Sequence, residues 1–166
     1  MCFPQTSTRS SVWNVFLLAA AASGILQAGS ITIDFEGVPD STILTNQNSG
    51  LTFTNTIVLT SGISLNEFEF PPHSGVNVAS DNGAPITIGF SSPITSFSGY
   101  FTYIEPLTLA GFDTADVEVI SAASLFSSND ALFGDPGSSP NEFIQVAMRA
   151  ACRASQSRVT QPGGLL

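Results

Sequence analysis

Residues 85–103 read PITIGFSSPITSFSGYFTY, and apolar side chains recur at every second position on both sides of a Ser-Ser-Pro break. Ile86, Ile88 and Phe90 form one such series; Phe97, Gly99, Phe101 and Tyr103 form the next. A period of two marks a strand with one buried face, because successive side chains point to opposite sides of a sheet. The same period spreads outward along the chain. ITIDFEG, residues 31–37, aligns Ile31, Ile33 and Phe35. LTFTNTIVLT, residues 51–60, predicts one strand with Leu51, Phe53, Ile57 and Leu59 on one side and Thr52, Thr54 and Thr56 on the other. LTLAGFD and DVEVIS place Leu107, Leu109, Val117 and Val119 facing one way, and FIQVA at 143–147 closes the series. Breaks rich in Gly, Pro, Asn and Ser separate these runs. Short strands with such breaks predict an all-β, antiparallel, jelly-roll-like β-sandwich.

At 166 residues the chain has room for one such domain. Before the strands lies VFLLAAAASGILQA, residues 15–28, with Arg9 ahead of it and small residues at its end. The run is short for a membrane span and reads as a signal peptide, 1–28, cleaved after Ala28. Export, secreted or to the surface of a bacterial cell, and no transmembrane segment in the mature chain are therefore expected. The sandwich occupies 29–147. It contains no Cys, since Cys2 lies in the signal and Cys152 in the tail, so no disulfide framework is expected.

Charge is distributed unevenly. All thirteen Asp and Glu residues fall between Ser10 and Met148, where there is no Lys or Arg. Such a surface repels nucleic acid and anionic lipid, which need basic contacts, and it suits a divalent cation. Arg149, Arg153 and Arg158 are confined to the tail.

The stretch ITIDFEGVPDSTILTNQNSGLTFTN resembles the opening of secreted bacterial sandwich modules, many of which end in a PEP-CTERM sorting signal. Their pattern is DFEG-[LV]-P-D-G-T-x-[LV]-x-N-Q-Y-x-G-L-x-F. Asp34, Phe35, Glu36, Gly37, Pro39, Asp40, Asn46, Gln47, Gly50, Leu51 and Phe53 match it, while Ser41 replaces Gly and Asn48 replaces Tyr. PITIGFSSPITSFSGYFTY is similar to the hairpin of the same group. The resemblance implies the fold and export, and it implies a final strand after FIQVA. A back-translation of residues 148–164 read from the third base of its first codon gives AGGVSSVTITRDPAGG, which has that alternation. The tail, 148–166, is accordingly read as frameshifted near residue 148. The last strand is expected to be missing, and the tail loosely packed or weakly helical around Ala147 to Ser155.

Three kinds of candidate site follow. Asp34 and Glu36 are two apart, so on a strand they share a face and suit calcium, which takes oxygen ligands. The bland reading is solvated carboxylates, with Asp40 only capping a turn. His73, the sole histidine, sits in PPHSG, and no serine lies in a G-x-S-x-G elbow. It reads as an exposed loop residue rather than a triad base or zinc ligand. Phe68, Phe70, Tyr100 and Tyr103 could form a sugar-stacking surface, with core packing as the alternative. Two long connections, NEFEFPPHSGVNVASDNGAP and SLFSSNDALFGDPGSSPNE, carry several of these residues together with Asp130, Asp135 and Glu142. The function expected is that of an exported, non-catalytic binding or structural module, with an extracellular polysaccharide or surface protein as partner. The alternative is a glycan hydrolase built on two carboxylates.

Overall fold

The computed structural model describes residues 30–147, 154–160 and 164–165. The expected signal peptide lies outside the described residues. Among the described residues eleven strands form: β1 (Ile43–Leu44), β2 (Leu51–Thr54), β3 (Thr56–Thr60), β4 (Asn77–Asp81), β5 (Thr87–Ile94), β6 (Ser96–Tyr103), β7 (Thr108–Phe112), β8 (Glu118–Ala123), β9 (Glu142–Ala147), β10 (Ala154–Thr160) and β11 (Gly164–Leu165). One sheet runs β1-β3-β4-β11-β6-β9 and the other β2-β5-β10-β7-β8, with every pairing antiparallel. The fold is the all-β, jelly-roll-like sandwich expected. Among the described residues no helix is long and apolar enough to cross a membrane.

The core lies between the sheets. Leu44, Val58, Ala79, Phe101, Tyr103, Ile144 and Val146 come from one sheet, and Phe53, Ile88 and Leu109 from the other. Each large apolar side chain buried there contributes about 1.5–3 kcal/mol relative to exposure. A smaller cluster occupies the opposite face of the first sheet. Val58 pairs with Ala79 and packs in the main core, whereas the adjacent pair Leu59 and Val78 packs with Leu65 and Phe70. The loop after β3 therefore covers β4 from outside.

Four strand expectations change. LTFTNTIVLT is two strands in different sheets, because Asn55 adopts φ 57° and turns the chain. Asparagine tolerates this left-handed region. Beyond it the parity inverts: Thr56 and Val58 are buried, rather than Ile57 and Leu59 facing with Phe53. ITIDFEG is no strand. Phe35 has φ 60°, and Val38 N–H closes a turn on its carbonyl (3.0 Å). Ile33 and Phe35 still pack on the core, while Ile31 is 84% exposed. In β8 it is Ile120 and Ala122 that meet the core, and Val117 is exposed; a register shift after Gly111 and Asp116 at φ 58° reset the alternation. Finally, NVASD is a largely buried strand, β4, inside what reads as one long connection.

The expectation of a missing last strand is also corrected, while the weak helix expected around Ala147 to Ser155 falls largely on 148–153, outside the described residues. Ala154–Thr160 is not missing from the sandwich but runs as β10 between β5 and β7, and Gly164–Leu165 as β11 between β4 and β6. Without these two strands each sheet would be left with rows of unpaired backbone groups, and unpaired ladder groups are costly when shielded from water. That backbone demand draws even a weakly alternating sequence into strand conformation.

Candidate functional site

The acidic side chains serve first as acceptors for the loops. Nine of the thirteen carboxylates accept a backbone N–H. Asp113 takes the N–H groups of Ala115 (2.8 Å) and Val117 (3.1 Å), and Asp135 takes that of Ser127 (2.8 Å). Asp40 reaches across twenty residues to Thr60 N–H (2.8 Å) and also accepts the hydroxyls of Ser64 and Ser41. The Ser64 hydroxyl, followed by that of Ser41, holds the Asp40 carboxyl below its ordinary value. Backbone N–H dipoles thus take the place of the absent Lys and Arg.

Asp34 and Glu36 occupy a turn rather than the single strand face expected of them. Asp34 Oδ1 accepts Glu36 N–H (3.2 Å), and Glu36 Oε1 accepts Val76 N–H (2.9 Å) and Asn77 N–H (3.0 Å) at the start of β4. Asn77 returns two bonds, from Nδ2 to the carbonyls of Phe35 and Val38 (both 3.0 Å). Gly75 makes room for this: a Cβ there would lie 2.1 Å from Glu36 Oε1. The stretch DFEGVPD is thereby a clasp between the chain entry, β3 and β4. Calcium takes six to eight oxygens. Two carboxylates, one already bonded to two N–H groups, supply a minority of them. Among the described residues, no three His, Cys, Asp or Glu side chains gather around a common point.

The loop between β8 and β9 is held from its interior. Asn129 is fully buried; its Oδ1 accepts Tyr103 N–H (2.7 Å), and its Nδ2 donates to Phe101 O (2.9 Å) and Ser139 O (3.1 Å). Asp130, also buried, accepts Phe133 N–H (2.6 Å), Leu132 N–H (3.1 Å) and the Ser128 hydroxyl (2.7 Å). Burial alone would raise its carboxyl, but the Ser128 hydroxyl and those N–H groups outweigh burial and hold it low. Tyr103 donates its hydroxyl to Glu142, whose other oxygen accepts Leu125 N–H (2.9 Å). Burial, then the bond to Glu142, pushes the Tyr103 phenol up to about 12.

Each of these carboxylates is engaged by backbone N–H groups of the loops and strands around it. What the surface does present is a run of rings on the outer face of β6 and β9. His73 stacks on Tyr100 with centroids 3.4 Å apart and planes 12° apart, and Tyr100 meets Phe143 at 5.2 Å. All three are solvent-exposed. Tyr100 and Phe143 are paired across the ladder, and Asn141 Nδ2 binds Pro71 O (3.0 Å), so the PPH turn is tied to the start of β9. On the second sheet, a shallow groove of roughly 490 Å³ runs over β2 and β5, lined by Asn46, Asn48, Thr52, Thr54, Thr87 and Phe90.

Of the aromatic candidates, Tyr100 joins the surface, Tyr103 is core, Phe70 packs under the β3–β4 loop and Phe68 stands alone at 77% exposure. His73 is exposed, as expected, and its partner is a ring. Sequence reading missed Phe143 and Asn129. Phe143 could have been found by parity, since it alternates with Ile144 and Val146 and so must point outward. Asn129 carries no comparable signal, because its partners are backbone groups from a distant strand. Comparison with known protein families, curated proteins and solved structures finds no match for this chain.

Proposed function

We propose that the chain is an exported, non-catalytic binding module whose ring surface, His73–Tyr100–Phe143, takes a neutral extracellular polysaccharide. One observation carries this reading: three exposed rings in succession, His73 of the β3–β4 loop stacked on Tyr100, and Tyr100 against Phe143 across the β6–β9 ladder. Sugar rings present flat C–H faces that pack on aromatic faces, and an uncharged ligand avoids the repulsion that this acidic body exerts on anions. The engagement of most carboxylates in loop bonds supports a binding role over hydrolysis. The apolar run before Gly29 and the likeness to export-associated sandwiches support a location outside the cell; an exported product beginning at Gly29 is the expected result, and an uncleaved cytosolic chain would count against it.

Phe143 is 53% exposed and its replacement by Ser should leave the fold intact. Calorimetric titration with neutral polysaccharides should show binding that Phe143→Ser weakens about tenfold, the equivalent of losing ~1.4 kcal/mol. Equal affinity in the two chains would remove the ring surface. Release of reducing ends, abolished by Glu142→Gln, would instead favour the hydrolase. Calcium at Asp34 and Glu36 belongs to the same proposal as an accessory ion, completed by carbonyls and water. A thermal melt recorded with millimolar calcium should show a midpoint raised by mass action, and an unchanged midpoint removes the ion.

A further inference from the structure

The groove over β2 and β5 is built by the alternation of those two strands. Thr52 pairs with Gly89 and Thr54 with Thr87, while the intervening pair, Phe53 and Ile88, is buried in the core. Three threonines therefore share the outer face with a glycine, since alternate residues share a face. Gly89 forms the floor. A Cβ added there would meet its nearest neighbours, Thr52 Cβ and O, only at 3.7 Å, so the space above it is open. The turn 48–51 closes one end: Leu51 N–H bonds Asn48 O (3.0 Å), Gly50 adopts φ 82°, and Ser91 N–H bonds Gly50 O (2.9 Å). That end is thus tied by backbone bonds to β5. Asn48 lines the groove there, and its Oδ1 is buried without a hydrogen-bond partner. A shielded acceptor that lacks a donor costs free energy, and a ligand donor that reaches it recovers that cost.

We propose that this groove is a binding site for a short neutral saccharide, with Asn48 turning its amide oxygen onto a ligand hydroxyl. The lining selects the class. Among the described residues that form it none is ionisable, although the body around it carries thirteen acids. The hydroxyls of Thr52, Thr54 and Thr87 are also without partners. Amides and hydroxyls offer donors and acceptors together, which matches a ligand rich in hydroxyls and free of charge. The volume, roughly 490 Å³, falls within the range of about 300–1,000 Å³ that small-molecule sites occupy. The groove lies in the opposite sheet from the rings, so this inference stands whether or not the ring surface takes a polysaccharide.

The test is an amide-resolved NMR titration of the full-length chain with the methyl glycosides of glucose, galactose, mannose and N-acetylglucosamine. At least one should give saturable shifts at the amides of Gly50, Thr52, Gly89 and Ser91. Asn48→Ala should weaken that binding at least about fivefold. Its melting midpoint should hold or rise, because the substitution removes an unpaired acceptor. Gly89→Val fills the floor with a residue suited to a strand and should abolish the shifts. No saturable shift with any glycoside, or full binding by Gly89→Val, would overturn the proposal. So would a lowered midpoint for Asn48→Ala with affinity unchanged, which would make Asn48 merely structural. Shifts confined to Tyr100 and Phe143 would place the sugar on the rings and overturn it as well.

Discussion

Replacing Asn129 by alanine is expected to lower the unfolding free energy by about 4 kcal/mol. The side chain is fully buried and makes three bonds, to Tyr103 N–H, Phe101 O and Ser139 O. Alanine can replace none of them. It leaves one donor and two acceptors of the backbone without partners beside the core, at about 1–3 kcal/mol for each group kept from water. The total is less than the sum, because Ser139 lies in a loop that can open to solvent. Urea denaturation measures the change directly. A loss under about 1 kcal/mol would show that water enters freely and that the loop is not held from inside.

Truncation after Ala147 should do more: the remaining chain is expected to lose cooperative unfolding altogether. Without β10 and β11 the five-stranded sheet divides into β2-β5 and β7-β8, and the six-stranded sheet into β1-β3-β4 and β6-β9. Two-stranded pieces are marginal in water even with an apolar face. Four exposed edges would also promote aggregation. The complementary change is to replace residues 148–163 by AGGVSSVTITRDPAGG, the reading in the shifted frame. We propose that it fills the same position with better alternation and raises the denaturation midpoint and the soluble yield. Equal midpoints would identify the present tail as native, and cooperative unfolding of the truncated chain would place the tail outside the folded unit.

Strands with uninterrupted alternation were legible without coordinates. PITIGF, SFSGYFTY and FIQVA all lie where their pattern puts them, because one face of each is buried and the period of two survives. The misreadings share one cause. At Phe35, Asn55 and Asp116 a single residue enters the left-handed region and resets which parity faces the core. Two of these, Asn55 and Asp116, are of residue types that favour that region, and Phe35 is not. The tail failed differently: its own alternation is poor, and its strand is imposed by two waiting ladders, which no local window contains. For the site, Asp34 and Glu36 were conspicuous as neighbours in sequence, yet Asp34 takes the N–H of Glu36 itself, and the partners of Glu36 are backbone groups about forty residues away. The ring surface was half legible, through Tyr100 and His73. Their contact required the β3–β4 loop to fold back over the sheet.

An alkaline limit follows from Tyr103. Its folded value, about 12, exceeds the ordinary 10. Its contribution is complete below pH 10 and is lost as pH rises between those two values.

The central claim is that the carboxylates are structural acceptors rather than a repelling surface. The most direct test is the urea midpoint followed from pH 7 to pH 3. Thirteen acids with no Lys or Arg between Ser10 and Met148 would, as mere repelling charges, gain stability on protonation. As acceptors they do the opposite. Asp40 and Asp130 are held below their ordinary values, so their contribution is present above the unfolded aspartate value of about 3.9 and disappears as pH falls through the lower, folded values. The midpoint is expected to stay flat down to about pH 5 and to fall steadily below about pH 4. A midpoint that rises as the solution is acidified would contradict it.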